Sequence, residues 1–93
     1  MKKVKITYDV AKRARTLTER GLDFEDAIKI FESPHLQIED DRFDYKEPRY
    51  KVFGELDGRR VVFIWTPRDG THRIIMMRHA HEEEFKDRGR TLD

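Results

Sequence analysis

Cysteine is absent from the 93-residue chain, so neither disulfides nor thiolate metal ligands can hold its fold. Long hydrophobic runs are absent as well, since no stretch approaches the roughly 20 apolar residues that span a bilayer. The start, Met1-Lys2-Lys3-Val4, passes straight into a strand-like pattern without the apolar core of a signal peptide. A cytoplasmic protein is therefore expected. There is no internal repeat, linker or low-complexity segment. The length allows one domain, residues 1–93, and leaves nothing for a second. A domain this small buries a modest fraction of its surface, so its stability is expected to be marginal.

Apolar residues are scarce at 37% and charged residues abundant at 42%. The apolar residues are nevertheless concentrated in blocks, which favours a compact fold over a disordered chain. The net charge of +1 conceals a segregation along the sequence. Residues 1–20 hold seven Lys/Arg against two acids, and residues 21–49 hold four against nine. Residues 50–81 hold six against three, and the tail from Glu82 holds three against five. An ordinary mixed surface can carry such a distribution. The functional reading is that the two basic segments meet in space as a phosphate-binding face.

Val4, Ile6 and Tyr8 alternate with polar residues, the period-two pattern of a half-buried strand. Asp9 is placed to cap a helix in which Val10, Ala14 and Leu17 fall on one stripe, and Gly21 is placed to end it. Asp23 begins a second helix, with Asp26 in the capping-box position and Phe24, Ala27, Ile28 and Phe31 as its buried face, stopped at Ser33-Pro34. Leu36 and Ile38 suggest a short strand in an acidic region that runs to Arg49. A meander of three strands follows, from about 49 to 56, 59 to 66 and 72 to 78. Asp57-Gly58 forms the first hairpin turn, and a second turn lies around Pro67-Arg68-Asp69-Gly70. A final helix is expected over Ala80 to Arg88. The sum is an α+β domain: one strand, two helices, an antiparallel meander sheet and a short C-terminal helix. Val61-Val62-Phe63-Ile64-Trp65 is apolar throughout and Ile74-Ile75-Met76-Met77 nearly matches it, so both sheet faces should be covered. The two helices can cover one face. Ala80 and Phe85 of the last helix are thin cover for the other, which predicts an apolar patch on these strands that a partner buries.

Three arginines lie on and beside the meander: Arg68, Arg73 and Arg78. Neighbouring strands can bring them towards one phosphate, and a guanidinium donates a planar pair of hydrogen bonds to phosphate oxygens. In RNA cleavage the 2′-hydroxyl attacks the adjacent phosphorus and charge builds on the non-bridging oxygens, where fixed cations stabilise the transition state. Surface ion pairing would explain each arginine separately. Of His72, His79 and His81, His79 follows Arg78 directly and is the candidate for proton transfer, with Glu84 as a second. Lys12, Arg13 and Arg15 on the first helix are candidates for binding the RNA backbone, though such density also serves solubility. Trp65 and Tyr50 can stack on bases; for Trp65 the core is favoured. His79-Ala80-His81 with Glu82–Glu84 has metal-like spacing, but acids in the first turn of a helix account for it. No metal or other cofactor is expected.

Taken together, Tyr8-Asp9, Lys12-Arg13, Gly21-Leu22-Asp23-Phe24, Ala27, Phe31 and Pro34 resemble the first half of BrnT toxins. Asp41-Arg42, Glu47, Arg49, Gly54, Gly58-Arg59, Trp65-Thr66, Arg68, Arg73-Ile74-Ile75, Arg78, Ala80 and Glu84 resemble the second half. The likeness covers residues 4–88. It departs at Thr16, Glu19-Arg20 and Met76-Met77, and in lacking an aromatic residue near the end of the last helix. The resemblance implies a RelE-like fold and a ribonuclease toxin of a type II toxin–antitoxin system that cleaves RNA, messenger RNA foremost. It also implies a BrnA-type ribbon-helix-helix antitoxin as partner, with operator DNA contacted only through that antitoxin, and it carries the phosphate-binding role to Arg68, Arg73 and Arg78. Two other readings fit the same residues: an inactive member that only binds its partner, and a plain nucleic-acid-binding module without chemistry.

Overall fold

The computed structural model describes residues 4–40 and 46–81. Eight elements follow one another. They are β1 (Ile6–Tyr8), α1 (Val10–Arg20), a 3₁₀ turn (Phe24–Asp26), α2 (Ala27–Phe31), β2 (Leu36–Glu39), β3 (Tyr50–Leu56), β4 (Arg59–Arg68) and β5 (Thr71–His79). The strands form one mixed sheet in the order β1-β5-β4-β3-β2. β2 to β5 are antiparallel neighbours, whereas β1 pairs parallel to β5, with Ile6, Thr7 and Tyr8 opposite His72, Arg73 and Ile74. The first strand therefore joins the last one, and the whole of residues 9–70 forms the crossover between them. The fold is α+β. The expected C-terminal helix falls almost wholly outside the described residues. Among the described residues no helix is long and apolar enough to cross a membrane.

Both hairpins turn on an Asp-Gly pair. Asp57 and Gly58 have φ of 50° and 79°, and Asp69 and Gly70 have 51° and 78°. Two successive left-handed residues match the right-handed twist of the flanking strands. The second turn is tighter than the sequence suggested, so Pro67 and Arg68 belong to β4, opposite His72 and Thr71.

The core lies between one face of the sheet and the segment from Leu22 to Ile30. Leu22, Phe24, Ala27 and Ile30 pack on Val52, Leu56, Val61, Phe63, Trp65, Ile74 and Met77. The second helix proves to be a 3₁₀ turn followed by a short α-helix, and its buried residues are Phe24, Ala27 and Ile30 rather than Ile28 and Phe31. Asp23 caps it, accepting from the Glu25 N–H, while Asp26 makes no side-chain cap. A glycine in β3 sets the approach of this layer. A Cβ at Gly54 would sit 2.5 Å from Ile30 Cγ2, so only a hydrogen there lets α2 settle onto the sheet.

α1 departs most from expectation. Asp9 and Gly21 end it as read from the sequence, with the Asp9 carboxylate accepting from the Lys12 N–H at 3.0 Å and Gly21 at φ 68°. None of its residues is buried, however, and the Val10-Ala14-Leu17 stripe faces solvent. Val10 keeps 73% and Leu17 44% of its surface exposed. The half-buried residues on the sheet side are Arg13 and Thr16. The helix is thus laid on its polar side.

The apolar patch expected on the central strands is correspondingly absent in that form. Val61, Val62, Phe63, Trp65, Ile74 and Met77 are buried, with Ile64, Ile75 and Met76 half-buried, and the large exposed apolar side chains among the described residues belong to α1. Gly54→Ala should lower the free energy of unfolding by about 1–3 kcal/mol, because Ile30 is fully buried and has nowhere to move without opening the core. Urea unfolding would check this, as a shift in midpoint at constant slope.

Candidate nucleic-acid interface

Cross-strand partners share a face of a sheet, so pairing settles where the arginines of the meander point. Val61, Phe63 and Trp65 belong to the helix-side core, and alternation turns Val62, Thr66 and Arg68 to the other side. Arg73 lies opposite Thr66, and Arg78 lies opposite Val62. Arg68, opposite Thr71, is the diagonal neighbour of Arg73. All three arginines therefore stand on one face. Arg73 and Arg78 are separated by four rungs of β4, about 13 Å along the strand.

Their engagements differ. Arg68 Nη2 donates to Glu47 Oε1 at 2.7 Å, on a half-exposed pair. Arg78 Nη1 donates to the carbonyl of His79 at 3.2 Å. Arg73 is half-buried, and its charge contributes to holding the Asp9 carboxyl below the usual carboxylate range. The larger cause of that depression is the Lys12 N–H that Asp9 accepts.

The edge of β5 brings a second basic group alongside. β1 covers β5 only as far as Ile74, and the chain then continues as α1 beside the rest of the strand. Arg20 Nη1 reaches back and donates to the Met77 carbonyl at 2.9 Å. A groove of about 230 Å³ lies between helix and strand, with Lys12, Arg15, Thr16, Glu19 and Arg20 on one wall and Ile75, Met76 and Met77 on the other. Three cations and one carboxylate face it, which suits an anionic ligand. The basic segments 1–20 and 50–81 do meet in space, at β5.

Arg13 stands apart from this group. Its Nε and Nη2 donate to the two carboxylate oxygens of Asp23 at 2.8 and 2.9 Å, and its guanidinium lies 5.7 Å from the Tyr8 ring centroid. The bond from Arg13 pulls the Asp23 carboxyl below its usual range, and the same bond raises Arg13. Tyr8 in turn donates to Glu25 at 2.6 Å, a bond that raises its hydroxyl. Arg13 is committed to holding α1 against the start of the next segment.

The histidines separate as well. His79 lies opposite Val61, on the helix side, so its ring points away from the face that carries Arg78 although the two are adjacent in sequence. Its Nε2 donates to the Arg20 carbonyl at 3.1 Å, which leaves Nδ1 as the nitrogen able to accept a proton. His72 is enclosed by aromatic rings, with centroids 4.2 Å from Trp65 and 4.9 Å from Phe31. His35 packs edge-on to Phe31. Trp65 is buried, donates to Gln37 at 3.0 Å and has Tyr50 at 4.9 Å between ring centroids. Glu84, with Glu82 and Glu83, lies outside the described residues.

A family model described as the ribonuclease toxin BrnT of type II toxin–antitoxin systems matches residues 8–84 of the chain. The chain belongs to the BrnT family. No curated protein matches it. BrnT toxins are the ribonuclease component of a two-part system, so a protein antitoxin is the partner that the family implies. For this BrnT chain the arginine face and the α1 groove lie on the two sides of one strand, and both fall within the matched residues.

Sequence reasoning overlooked Arg20. A cation in the last turn before a C-capping glycine reads as a helix-dipole partner, whereas here it reaches the strand that returns 57 residues later. Removing the Arg13–Asp23 pair with Asp23→Asn should cost about 1 kcal/mol, a partly exposed bidentate bond being worth little more. Because the Asp23 carboxyl is depressed in the folded state, the pair's contribution is complete above pH 4 or so and is lost as pH falls through the folded value. Thermal unfolding of wild type and variant between pH 7 and 2 should therefore converge at the acid end.

Proposed function

We propose that this BrnT-family chain is a metal-independent endoribonuclease of RelE-like fold that cuts RNA, messenger RNA foremost, in the cytoplasm to arrest growth. A BrnA-type antitoxin with a ribbon-helix-helix domain silences it, and the complex contacts operator DNA only through that antitoxin. The observation that carries the catalytic reading is the placement of Arg73 and Arg78 on one face of β5, with Arg68 diagonal to Arg73.

The chemistry follows from charge. When the 2′-hydroxyl attacks the neighbouring phosphorus, negative charge grows on the non-bridging oxygens, and guanidinium groups fixed by a strand need no reorganisation to meet it. Arg78 and Arg73 are assigned that role, and Arg68, tied to Glu47, supports it from the adjoining strand. His79 and Glu84 are assigned proton transfer. His79 ends β5 with Nδ1 as its accepting atom, and reaching the phosphate from the helix side requires the RNA to cross the strand edge. Lys12 and Arg15, joined by Arg20, bind backbone phosphates of the same strand in the groove beyond that edge. Arg13, held by Asp23, acts through its effect on α1.

Induced expression in a bacterial host tests this reading, with growth and RNA integrity followed together. Wild type should arrest growth with loss of intact RNA, whereas Arg78→Ala should abolish both while leaving antitoxin binding intact. Arg68→Ala should reduce the effect less sharply. Growth arrest that survives Arg78→Ala would remove the arginine face from the mechanism.

A further inference from the structure

We propose that the solvent face of α1 is the seat of a helix from a protein antitoxin, one with an apolar ridge and acidic flanks. This rests on the family's protein partner and is independent of the arginine site.

At 100° per residue, Val10, Ala11, Ala14, Leu17 and Thr18 fall within an arc of about 120°. All five are exposed, and none carries a charge, in a chain whose residues are 42% charged. An amphipathic helix ordinarily turns such an arc inward. α1 does the reverse: Arg13 and Thr16 face the sheet, and the helix is held by the Asp9 cap, the Arg13–Asp23 pair and the Arg20–Met77 bond. Eleven residues of helix are too short to persist on propensity alone, so these polar tethers position a face left exposed among the described residues.

The occupant follows from shape and charge. Val10 and Leu17 stand about 10 Å apart along the axis, with Ala11 and Ala14 between them and Thr18 just beyond Leu17. Small residues between two larger ones let another helix approach at the close end of the 8–10 Å range of axial separations. RNA has little to gain from an uncharged arc. A protein ridge of aliphatic side chains does gain, through burial of apolar area. Residues 1–20 carry a net charge of +5, and Arg15 borders the arc with Lys12 beyond it, so acids on the flanks of the incoming helix meet opposite charge. Those acids would also lie over the mouth of the groove. Docking on α1 thereby competes with phosphate binding at Lys12 and Arg15, which is a route to neutralisation without contact at Arg73 or Arg78.

The test is co-expression and titration calorimetry of the chain with a BrnA-type ribbon-helix-helix antitoxin. Val10→Glu with Leu17→Glu should weaken binding at least tenfold. It should leave thermal unfolding and RNA cleavage at wild-type levels, and growth arrest should escape neutralisation. Arg15→Glu should weaken binding less and flatten its salt dependence. Wild-type affinity in the double variant overturns the proposal while leaving the antitoxin reading intact. Failure of the wild-type chain to bind that protein overturns the antitoxin reading itself, and this occupant with it. A wild-type dimer in sedimentation that the double variant dissolves would assign the face to a second copy instead, and would also overturn the proposal.

Discussion

Three rungs of parallel pairing, Ile6 to Tyr8 against His72 to Ile74, determine where everything else can sit. A parallel neighbour must be reached by a crossover, and here that crossover contains every other described element. Because β1 stops at Tyr8 while β5 runs on to His79, the chain leaving β1 travels beside the part of β5 that β1 does not pair with. α1 fills that space. A longer β1 would have continued the sheet and displaced the helix, and the groove between Arg15 and Met76 would not exist. The shortness of one strand thus creates both the basic groove and the platform that carries α1.

Much of the fold was legible because its signals are local. The Asp9 cap, the Gly21 stop, the alternation of Val4 to Tyr8 and the Asp57-Gly58 turn each depend on a few consecutive residues, and each is where the pattern put it. The continuous apolar run of β4 also read correctly as a strand with side chains buried on both sides, Val61 and Val62 among them. Failures came where periodicity was asked to supply direction. A stripe of Val10, Ala14 and Leu17 says that a helix has an apolar side but not which way that side faces. In the fold Arg13 and Thr16 face the sheet, and Arg13 pairs with Asp23 ten residues on. For the same reason the missing cover was assigned to the strands when the uncovered side chains belonged to α1.

The candidate site divides along similar lines. That the basic segments 1–20 and 50–81 meet was readable from charge segregation, and the strand assignments were close enough to put Arg68, Arg73 and Arg78 on neighbouring elements. Their common face was not readable, because it depends on a register shift between Ile64 and Trp65 that skips Ile75. Without that bulge, Arg73 and Arg78, five residues apart, would point to opposite sides. The nearness of His79 to Arg78 misled for the complementary reason, since one residue along a strand is a reversal of direction. Arg13 and Lys12 look alike in the sequence, and only long-range pairing separates the structural cation from the one that lines the groove.

The two arginines that cap β5 have a colloidal role as well. An open strand edge is a template on which a second chain can grow, and proteins commonly blunt such edges with charge. Arg20 and Arg78 occupy the carbonyls of Met77 and His79 with guanidinium groups, placing two positive charges where a foreign strand would have to dock. That charge opposes the docking of another polypeptide backbone. The arginines proposed for RNA binding thus also put positive charge at the edge where edge-to-edge aggregation would begin.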